Sequence, residues 1–403
     1  MKVAIIGAGA AGMAAAITAS ASGEHEVLLL ERQARVGKKL LATGNGRCNL
    51  TNRAADVSHY HGTDPSFVIP ALREFSVSQT LDFFQSIGLY TVTEPGGRVY
   101  PYSDQANSVV DVLRFALERK NLTLRAGTEI TGVKNQGDQF AIRSGGEVFH
   151  ADRLIVTCGG AAGTKLGGGL SGYQLLRSLG HHCTKLYPSL VQLKTNDELV
   201  RSLKGVRANA SLRLVLNDSI LATARGEVQF TEYGVSGPAV FDLSRAASTA
   251  SESELHLDFL PDRSAEDILS ALCIRISRFP HLNCEDLLTG ILHNRLGRVV
   301  LRDVGVPLNL PITALNWKQL IAVVDDCRDF RLQVLGTMGF DNAQVTAGGI
   351  CTQEFYAETM ESRIVPGLYA AGEVLDIDGD CGGYNLQWAW SSGQLAGELR
   401  TTC

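Results

Sequence analysis

The sequence predicts an α/β fold for this chain of 403 residues. Two stretches predict it: residues 2–31 run as strand, glycine-rich turn, helix and strand, and residues 367–399 run as strand, glycine turn and helix. The composition supports a folded core, because 45% of the residues are apolar and 20% are charged, as is typical of globular proteins. At roughly 150 residues per domain, the length predicts two or three structural units.

The first stretch has the order of a dinucleotide-binding unit. Residues 2–6 (KVAII) and 26–30 (EVLLL) are apolar runs typical of buried strands. Three glycines of the intervening turn have separate mechanical roles: we expect Gly7 to allow the tight turn, Gly9 to admit a pyrophosphate and Gly12 to let helix and strand pack closely. The helix N-terminus then offers N–H groups and positive potential to the phosphates.

An acidic residue completes this unit. Glu31 follows the second strand, where a carboxylate accepts the hydroxyls of a dinucleotide ribose. Strand, GxGxxG turn, helix and acid therefore predict dinucleotide binding, with Ala11 as a further contact inside the motif. The motif by itself does not separate FAD from NAD.

Residues 35–52 (RVGKKLLATGNGRCNLTN) predict a loop pressed against the ligand. The stretch is locally basic, and a pyrophosphate needs some of these cations; the alternative is a solvated charged loop. Disulfide reductases that share the N-terminal unit carry a cysteine pair in this region, whereas here Cys48 stands alone, so dithiol chemistry is not expected. The residues predicted to contact the cofactor here are Arg32, Lys38, Gly44, Asn45, Gly46 and Arg47.

Later segments select FAD as the cofactor. Residues 122–158 predict a β-meander whose last strand runs into a glycine pair, and residues 367–399 return a strand and a helix. Such a late return is expected of a two-part FAD domain, because the helix N-terminus can face the flavin edge where negative charge develops on reduction. The further cofactor contacts predicted are Ile130, Gly159, Gly160, Gly372, Glu373, Gly383, Asn385 and Leu386.

Charge, cysteines and hydropathy exclude several other classes. The 37 basic and 42 acidic residues give a net charge of −5, which is poorly suited to binding nucleic acid over the whole surface. Nine widely spaced cysteines, from Cys48 to Cys403, contain no CxxC pair and predict reduced thiols. The pair His181-His182 is expected to cap a helix rather than to bind a metal. Because the hydropathy pattern predicts neither a membrane-spanning stretch nor a leader peptide, we expect a cytoplasmic protein.

At this point the sequence resembles the BaiN/YhiN-type flavoprotein family. It carries GAGAAG, TGNGRCNLTN, RVYPYSDQANSVVDVL, FTEYGVSGPAV, QVTAGGI and LYAAGEVLDIDGDCGGYNLQWAWSSG, spread from residue 3 to residue 397. The resemblance implies a Rossmann-like FAD-binding domain in two parts, residues 1–187 and 341–403. It also implies an inserted module, with a β-barrel in residues 188–260 and helices in residues 261–340.

The resemblance also implies oxidoreductase chemistry of three kinds. Relatives are associated with reduction of a C=C bond conjugated to a ketone, with reduction of uridine to dihydrouridine in ribosomal RNA, and with oxidation of small amino ketones. Hydride transfer to an enone or uracil needs a protein acid to protonate the α-carbon. Cys48 and Tyr384 are the predicted acids because both lie in predicted flavin-side loops; alternatively, both residues only pack.

The leading prediction is an enzyme that uses NAD(P)H, as a transient electron donor, to reduce an activated C=C bond. A small enone and ribosomal RNA both remain as candidate substrates. The predicted barrel contains a basic cluster that is either an RNA contact or an ordinary solvated face. Its residues are Arg201, Lys204, Arg207 and Arg213. The runner-up is an oxidase of small amines or amino ketones. The third hypothesis is a non-enzymatic protein that binds RNA or acts as an assembly factor.

Overall fold

The structure, a computed structural model, describes residues 1–195, 198–250 and 252–401. It divides into two compact units, one formed by Met1–Pro188 with Ala343–Cys403 and the other by Ser189–Asn342. The sequence prediction put these divisions at 187/188 and 340/341.

The described residues form strands of two to twelve residues. In chain order they are β1 (Lys2–Ile6), β2 (Glu26–Glu31), β3 (Thr51–Asn52), β4 (Tyr60–His61), β5 (Thr91–Thr93), β6 (Arg98–Pro101), β7 (Leu122–Ala126), β8 (Gly132–Asn135), β9 (Phe140–Ser144), β10 (Glu147–Ala151), β11 (Arg153–Val156), β12 (Tyr187–Ser189), β13 (Leu193–Thr195), β14 (Arg207–Leu216), β15 (Ser219–Phe230), β16 (Gly234–Ser236), β17 (Glu254–Asp258), β18 (Phe330–Thr337), β19 (Val345–Ala347), β20 (Leu368–Ala370) and β21 (Asp378–Gly379).

The α-helices are, in chain order, α1 (Ala10–Ala19), α2 (Val68–Glu74), α3 (Val77–Ser86), α4 (Ala106–Ala116), α5 (Ser171–Ser178), α6 (Glu198–Ser202), α7 (Pro238–Thr249), α8 (Ala265–Arg278), α9 (Asn294–Asp303), α10 (Trp317–Arg328) and α11 (Tyr384–Gly397).

A parallel five-stranded sheet with the order β20-β11-β1-β2-β7 forms the centre of the first unit. Parallel sheets are buried on both faces, which explains the continuous apolar runs of β1 and β2. The strands come from both ends of the chain, because β20 pairs with β11 and β11 with β1. This arrangement confirms the predicted α/β fold and gives the carboxyl ends of β1, β11 and β20 a common edge.

The region predicted as a meander divides between two sheets. Strand β7 pairs in parallel with β2 and forms the edge of the central sheet. Only β8, β9 and β10 form an antiparallel meander, and β11 returns to the central sheet beside β1. The turn signals at residues 135–139 and 143–147 predicted the hairpins correctly, but a local pattern does not specify the sheet that a strand joins.

Helix α11 packs closely against α1 in the first unit. A side chain at Gly393 would meet the carbonyl oxygen of Ala11 at 2.4 Å, and one at Gly397 would meet that of Ala15 at 2.6 Å. Small residues on both helices therefore permit an approach that larger ones would prevent. Trp388 and Trp390 are both buried, and each donates its indole N–H to a backbone carbonyl.

The second unit contains a closed barrel with the strand order β13-β16-β15-β14-β17-β18. Strand β18 (Phe330–Thr337) closes it, and in the sequence this strand follows α8, α9 and α10. The predicted separation into a barrel over 188–260 and helices over 261–340 therefore differs from the structure. Barrel and helices share one apolar core, in which Leu212, Phe230, Leu272 and Val300 are buried together.

Among the described residues, no helix combines the length and apolar character needed to cross a bilayer. Eight cysteines of the described part are free thiols. Cys403 lies outside the described residues.

Candidate functional site

The turn between β1 and α1 has the geometry that the glycine spacing predicts. Gly7 has a φ of +102°, and a side chain at Gly12 would lie 1.8 Å from the Gly7 carbonyl oxygen. A side chain at Gly9, by contrast, would have no heavy atom within 4 Å. In the described structure no side chain caps the first turn of α1, so its N–H groups remain available to an anion.

Glu31 connects the end of β2 to this turn. Its Oε2 accepts a hydrogen bond from the backbone N–H of Ala8 at 2.7 Å, and its Oε1 accepts one from Gln33 at 2.8 Å. Each carboxylate oxygen can accept a second hydrogen bond. The carboxylate is therefore fixed in position and still able to accept hydroxyl donors.

The predicted cations have unequal environments. Arg32 donates to the carbonyl oxygens of Gly167 and Gly168, and so holds the loop that follows β11. Lys38 is exposed, and its Nζ donates to the Gln33 side chain at 3.3 Å. The neighbouring Lys39, which we did not single out for binding, instead forms an ion pair with Glu373.

Glu373 joins the two parts of the site within the first unit. Its Oε2 lies 2.7 Å from Lys39 Nζ, while its Oε1 accepts the backbone N–H of Thr346 at 2.9 Å. A side chain at Gly160 would lie 2.5 Å from Glu373 Oε1. Gly160 thus allows the strand end of β11 to approach Glu373 closely, as the glycine pair at Gly159-Gly160 indicates.

The loop Leu40–Gly46 is a 3₁₀ segment interrupted by left-handed residues, among them Gly44 and Asn45, each with a φ of 57°. Asn45 and Gly46 are exposed at its surface. Arg47 follows and forms ion pairs with Glu94 and Asp104, with its guanidinium 4.0 Å from the centre of the Tyr100 ring. Two carboxylates therefore neutralise a cation that was expected to face a pyrophosphate.

Cys48 follows this loop and is fully buried. Burial raises the pKa of its thiol to about 12, although a hydrogen bond with the Thr43 side chain lowers it in part. The thiol is therefore protonated at neutral pH, and its nucleophilic thiolate form is suppressed.

The start of α11 is held by its own side chains. Asn385 accepts the backbone N–H of Gly379 at 2.8 Å and donates to the carbonyl oxygen of Gly379 at 2.7 Å. Tyr384 is buried, and its backbone carbonyl accepts the hydroxyl of Tyr60 at 3.0 Å. Leu386 is half-buried. In the described structure no side chain caps this helix at Gly383, so its positive end is not covered by a capping side chain.

A cluster of titratable groups beside Tyr384 escaped the sequence analysis. His59 Nδ1 lies 3.0 Å from Asp380 Oδ2, and His61 Nε2 lies 2.7 Å from Asp380 Oδ1. The His59 ring stacks on the Tyr384 ring with centroids 4.2 Å apart and planes inclined by 17°. We call His59, His61, Asp380 and Tyr384 the His–Asp cluster. The two histidines lie more than 300 positions before Asp380 and Tyr384 in the chain, so no spacing rule reveals the cluster.

The carboxylate of this cluster is ionised. Burial alone would raise the pKa of Asp380, but hydrogen bonds from His61 and His59 outweigh burial and lower the pKa below its usual value. The three side chains are 31–38% exposed. They are thus held in place and still reachable from outside.

The residues present fit FAD. Space next to Gly9, Gly46 and Gly159 is open, whereas Gly7, Gly12 and Gly160 are closely packed by their neighbours. The buried Asn49 Oδ1 lacks a hydrogen-bond partner in the described structure, and it lies near the position of a Gly383 side chain. An open glycine turn, two uncapped helix N-termini and an unpartnered acceptor together suit a ligand with phosphates and polar ring edges.

The histidine pair at residues 181–182 does not resemble a metal site. The backbone N–H of His181 donates to Leu176 at the end of α5, as a helix cap does. Both imidazole rings bind one carboxylate, at 2.9 Å and 2.6 Å from Glu354. Among the described residues, no group of three or more potential metal ligands is present.

Most residues of the basic cluster in the second unit form ion pairs with acidic side chains. Lys204 pairs with Glu232, Arg207 with Glu227 and Arg213 with Asp329; the separations are 2.6 Å, 3.5 Å and 2.6 Å respectively. Each pair lowers the net positive charge of that surface. This result favours the interpretation of the cluster as an ordinary solvated face.

Fold and site together define the chain as a FAD-dependent oxidoreductase of the Rossmann type. The family model described as HI0933-like protein Rossmann domain matches residues 1–399, so the chain belongs to this family. This match confirms the resemblance found in the motifs.

Named relatives match almost the whole chain. A 3-dehydro-bile acid delta(4,6)-reductase from Clostridium scindens is 43% identical over 401 residues and covers 98% of each chain. A ribosomal RNA dihydrouridine synthase from Escherichia coli is 32% identical over 388 residues, covering 96% of this chain and 95% of the relative. A solved 3-ketosteroid delta1-dehydrogenase from Sterolibacterium denitrificans shares the fold, with a TM-score of 0.50, 12% identity and 98% coverage of both chains.

Proposed function

We propose that this protein uses FAD and a nicotinamide donor to reduce a carbon–carbon double bond conjugated to a carbonyl group in a small molecule. The observation that carries the proposal is the 43% identity, over 98% of both chains, to a reductase whose name specifies a ketone conjugated with double bonds. Bound FAD supplies two-electron transfer between the nicotinamide and the substrate.

The chain's own residues would hold FAD at three places. Glu31, fixed by Ala8 N–H, accepts ribose hydroxyls, while the open space at Gly9 and the N-terminus of α1 receive the pyrophosphate. Glu373 and Lys39, which form an ion pair beside Gly160, are a second contact. The N-terminus of α11, beginning at Gly383, stabilises negative charge on the flavin ring.

Several of the residues predicted to contact FAD would contribute by fixing the backbone around the site. Asn385 fixes the strand β21 that leads into α11, and Arg32 fixes the loop at Gly167 and Gly168. Gly44 and Gly372 have positive φ values that a larger residue would strain. Ala11, Ile130 and Leu386 complete the proposed contacts, with Ala11 and Ile130 buried.

Reduction of uracil in ribosomal RNA is the second candidate, because the 32% identical relative is named for that reaction. Both reactions are the same electronically: hydride adds to the β-carbon of a conjugated system, and a proton adds to the α-carbon. Ion pairing of three of the four residues in the basic cluster of the second unit favours the small molecule. No specific feature of the site favours oxidation of amines.

Anaerobic absorption spectroscopy tests the proposal. NADPH is added to the FAD-loaded protein, and the loss of flavin absorbance is followed. The bleached protein is then mixed with a 3-dehydro-Δ4,6 bile acid, with uridine-containing ribosomal RNA, or with air. We expect bleaching by NADPH, rapid reoxidation by the bile acid and slow reoxidation by air.

Other outcomes identify the alternatives. Reoxidation by RNA alone would favour dihydrouridine formation. A flavin that NADPH does not bleach, or that air reoxidises within the mixing time, would contradict the reductase proposal and favour an amine oxidase. Loss of dihydrouridine from ribosomal RNA after gene deletion would independently support the RNA substrate.

A further inference from the structure

The His–Asp cluster contains two histidines that bind one carboxylate through different ring nitrogens. His59 uses Nδ1 and His61 uses Nε2. An ionised carboxylate only accepts hydrogen bonds, so both bound nitrogens carry a proton. The nitrogen left over on His59 is Nε2, at the outer tip of the ring, whereas His61 keeps only Nδ1, which lies beside its own backbone. His59 is therefore the histidine that can reach another molecule.

Backbone and ring contacts fix the position of His59. The backbone N–H of Asp380 donates to the carbonyl oxygen of His59 at 3.0 Å, next to the antiparallel pair β4–β21. Tyr384 covers one ring face by stacking, and Asp380 fixes the ring rotation. A general acid needs this kind of preorganisation because proton transfer requires heavy atoms within about 3 Å of each other.

The cluster also adjoins the helix end proposed to contact the flavin. Asp380 lies three positions before Gly383, the residue that precedes α11, and Tyr384 is the first residue of that helix. The 31% exposure of the His59 side chain keeps its ring accessible. An acid near this helix end and the flavin would be suitably located to protonate a substrate.

We propose that His59 is the catalytic acid of the C=C reduction, with Asp380 as a positioning residue and Tyr384 as the surface against which the His59 ring packs. This inference rests on the proposed function. Bound FAD, once reduced, would supply a hydride to the β-carbon. His59, as an imidazolium with protons on both ring nitrogens, gives its Nε2 proton to the α-carbon, where it bonds to the electron pair released from the C=C π bond. His59 is then a neutral ring with its proton on Nδ1, and it regains the Nε2 proton from solvent.

This assignment differs from the two acids that the sequence predicted. Cys48 is fully buried, so a substrate would have to displace protein to reach its thiol. Tyr384 is 7% exposed and stacks on His59. His59 is more exposed than either and has a ring nitrogen at its tip, so the geometry favours it as the donor.

The test separates the two half-reactions. His59→Gln, Asp380→Asn and wild type are loaded with FAD, bleached anaerobically with NADPH and mixed with a 3-dehydro-Δ4,6 bile acid in a stopped-flow instrument. We expect His59→Gln to slow reoxidation by about 10²–10⁴-fold, the usual contribution of a general acid, with flavin content and bleaching by NADPH unchanged. Added imidazole should restore part of the rate in His59→Ala.

A spectroscopic measurement tests the geometry without turnover. In protein carrying ¹⁵N-labelled histidine at about pH 9, where imidazole rings are neutral, the NMR signal absent from His59→Gln should belong to a ring protonated at Nδ1. Asp380→Asn should shift that signal toward a mixture of tautomers. His150→Gln, which changes an exposed histidine of β10 in the same unit, is the matched control and should alter neither rate nor signal.

Each contrary result has a defined meaning. A reoxidation rate of His59→Gln equal to that of wild type would overturn the assignment and leave the proposed function intact. Equal loss of bleaching, reoxidation and flavin content would mean a structural role. A neutral His59 ring with its proton on Nε2 instead of Nδ1 would overturn the positioning role of Asp380. Failure of wild type to transfer electrons to the bile acid would instead refute the proposed substrate class, and with it the assignment.

Discussion

His181 is a buried histidine whose two ring nitrogens both have partners. Nδ1 lies 2.9 Å from Glu354, and Nε2 lies 3.0 Å from the hydroxyl of Ser362. Ser362 also accepts backbone N–H donors from Ile364 and Val365, so its own proton points to His181. This pattern requires a neutral ring with its proton on Nδ1. Burial lowers the pKa of His181, although Glu354 raises it in part.

The lowered pKa of His181 predicts a loss of stability in mild acid. Below the usual histidine pKa of about 6.5, the unfolded chain binds a proton that the folded chain excludes. The stabilisation is therefore complete above about pH 6.5 and is lost as the pH falls through the lower pKa of the folded state. His181→Asn should reduce the free energy of unfolding at pH 7 by about 1–3 kcal/mol and flatten its fall below pH 6.5.

Urea unfolding of the FAD-free protein between pH 5 and 8 measures this effect. The matched control is His182→Asn, because the His182 side chain binds the same carboxylate but is 81% exposed. We expect this control to keep the wild-type pH dependence. A steep acid dependence that persists in His181→Asn would assign the effect to another group, of which Glu354 is the nearest.

At the scale of the elements, the β1–α1 turn contains two glycines with different expected roles. Gly12 is needed for folding, and Gly9 is needed for the ligand. Gly12→Ala puts a methyl group 1.8 Å from the Gly7 carbonyl, whereas Gly9→Ala puts one into open space at a φ of −80° that alanine adopts easily. We expect Gly12→Ala to destabilise the FAD-free protein by about 1–3 kcal/mol or more through overpacking. We expect Gly9→Ala to keep its stability and to raise the Kd for FAD by at least about tenfold, or ~1.4 kcal/mol.

Urea unfolding of the FAD-free protein and titration of flavin fluorescence distinguish these two effects. Gly146→Ala is the matched control, since a side chain at Gly146 also has no heavy atom within 4 Å and lies in the β9–β10 turn. It should change neither quantity. Unchanged FAD affinity in Gly9→Ala would mean that the phosphates do not approach this glycine.

The elements also show why part of the site could be predicted from the sequence. The β1–α1 unit is local: its glycines, helix and Glu31 lie within 31 residues, and each leaves a recognisable pattern. The His–Asp cluster forms only because the two-residue strands β4 and β21 pair across the chain. Strands this short have no periodicity, and the histidines at 59 and 61 have no motif of their own. Arg47 likewise looked like a phosphate ligand, because the sequence does not reveal that Glu94 and Asp104 meet it.

At the scale of the whole molecule, the fold class and the early motifs were predictable, whereas the closure of the barrel was not. Strand β18 resembles any alternating strand, with inward residues Phe330, Leu332 and Val334 buried. Its pairing with β13 and β17 connects positions separated by about 75 to 145 residues in the chain. Long-range pairing of this kind depends on tertiary packing and leaves no local signal.

The two units predict that FAD stabilises one part of the chain selectively. All proposed FAD contacts lie in Met1–Pro188 and Ala343–Cys403, while the barrel and its helices have their own core. FAD at 100 times its Kd stabilises the state that binds it by about 2.7 kcal/mol. Hydrogen exchange with and without FAD should therefore slow at amides of β1, α1 and α11 and leave those of β14 and β15 unchanged. Equal slowing in β14 and β15 would contradict the prediction, because the two units would then unfold as one cooperative structure.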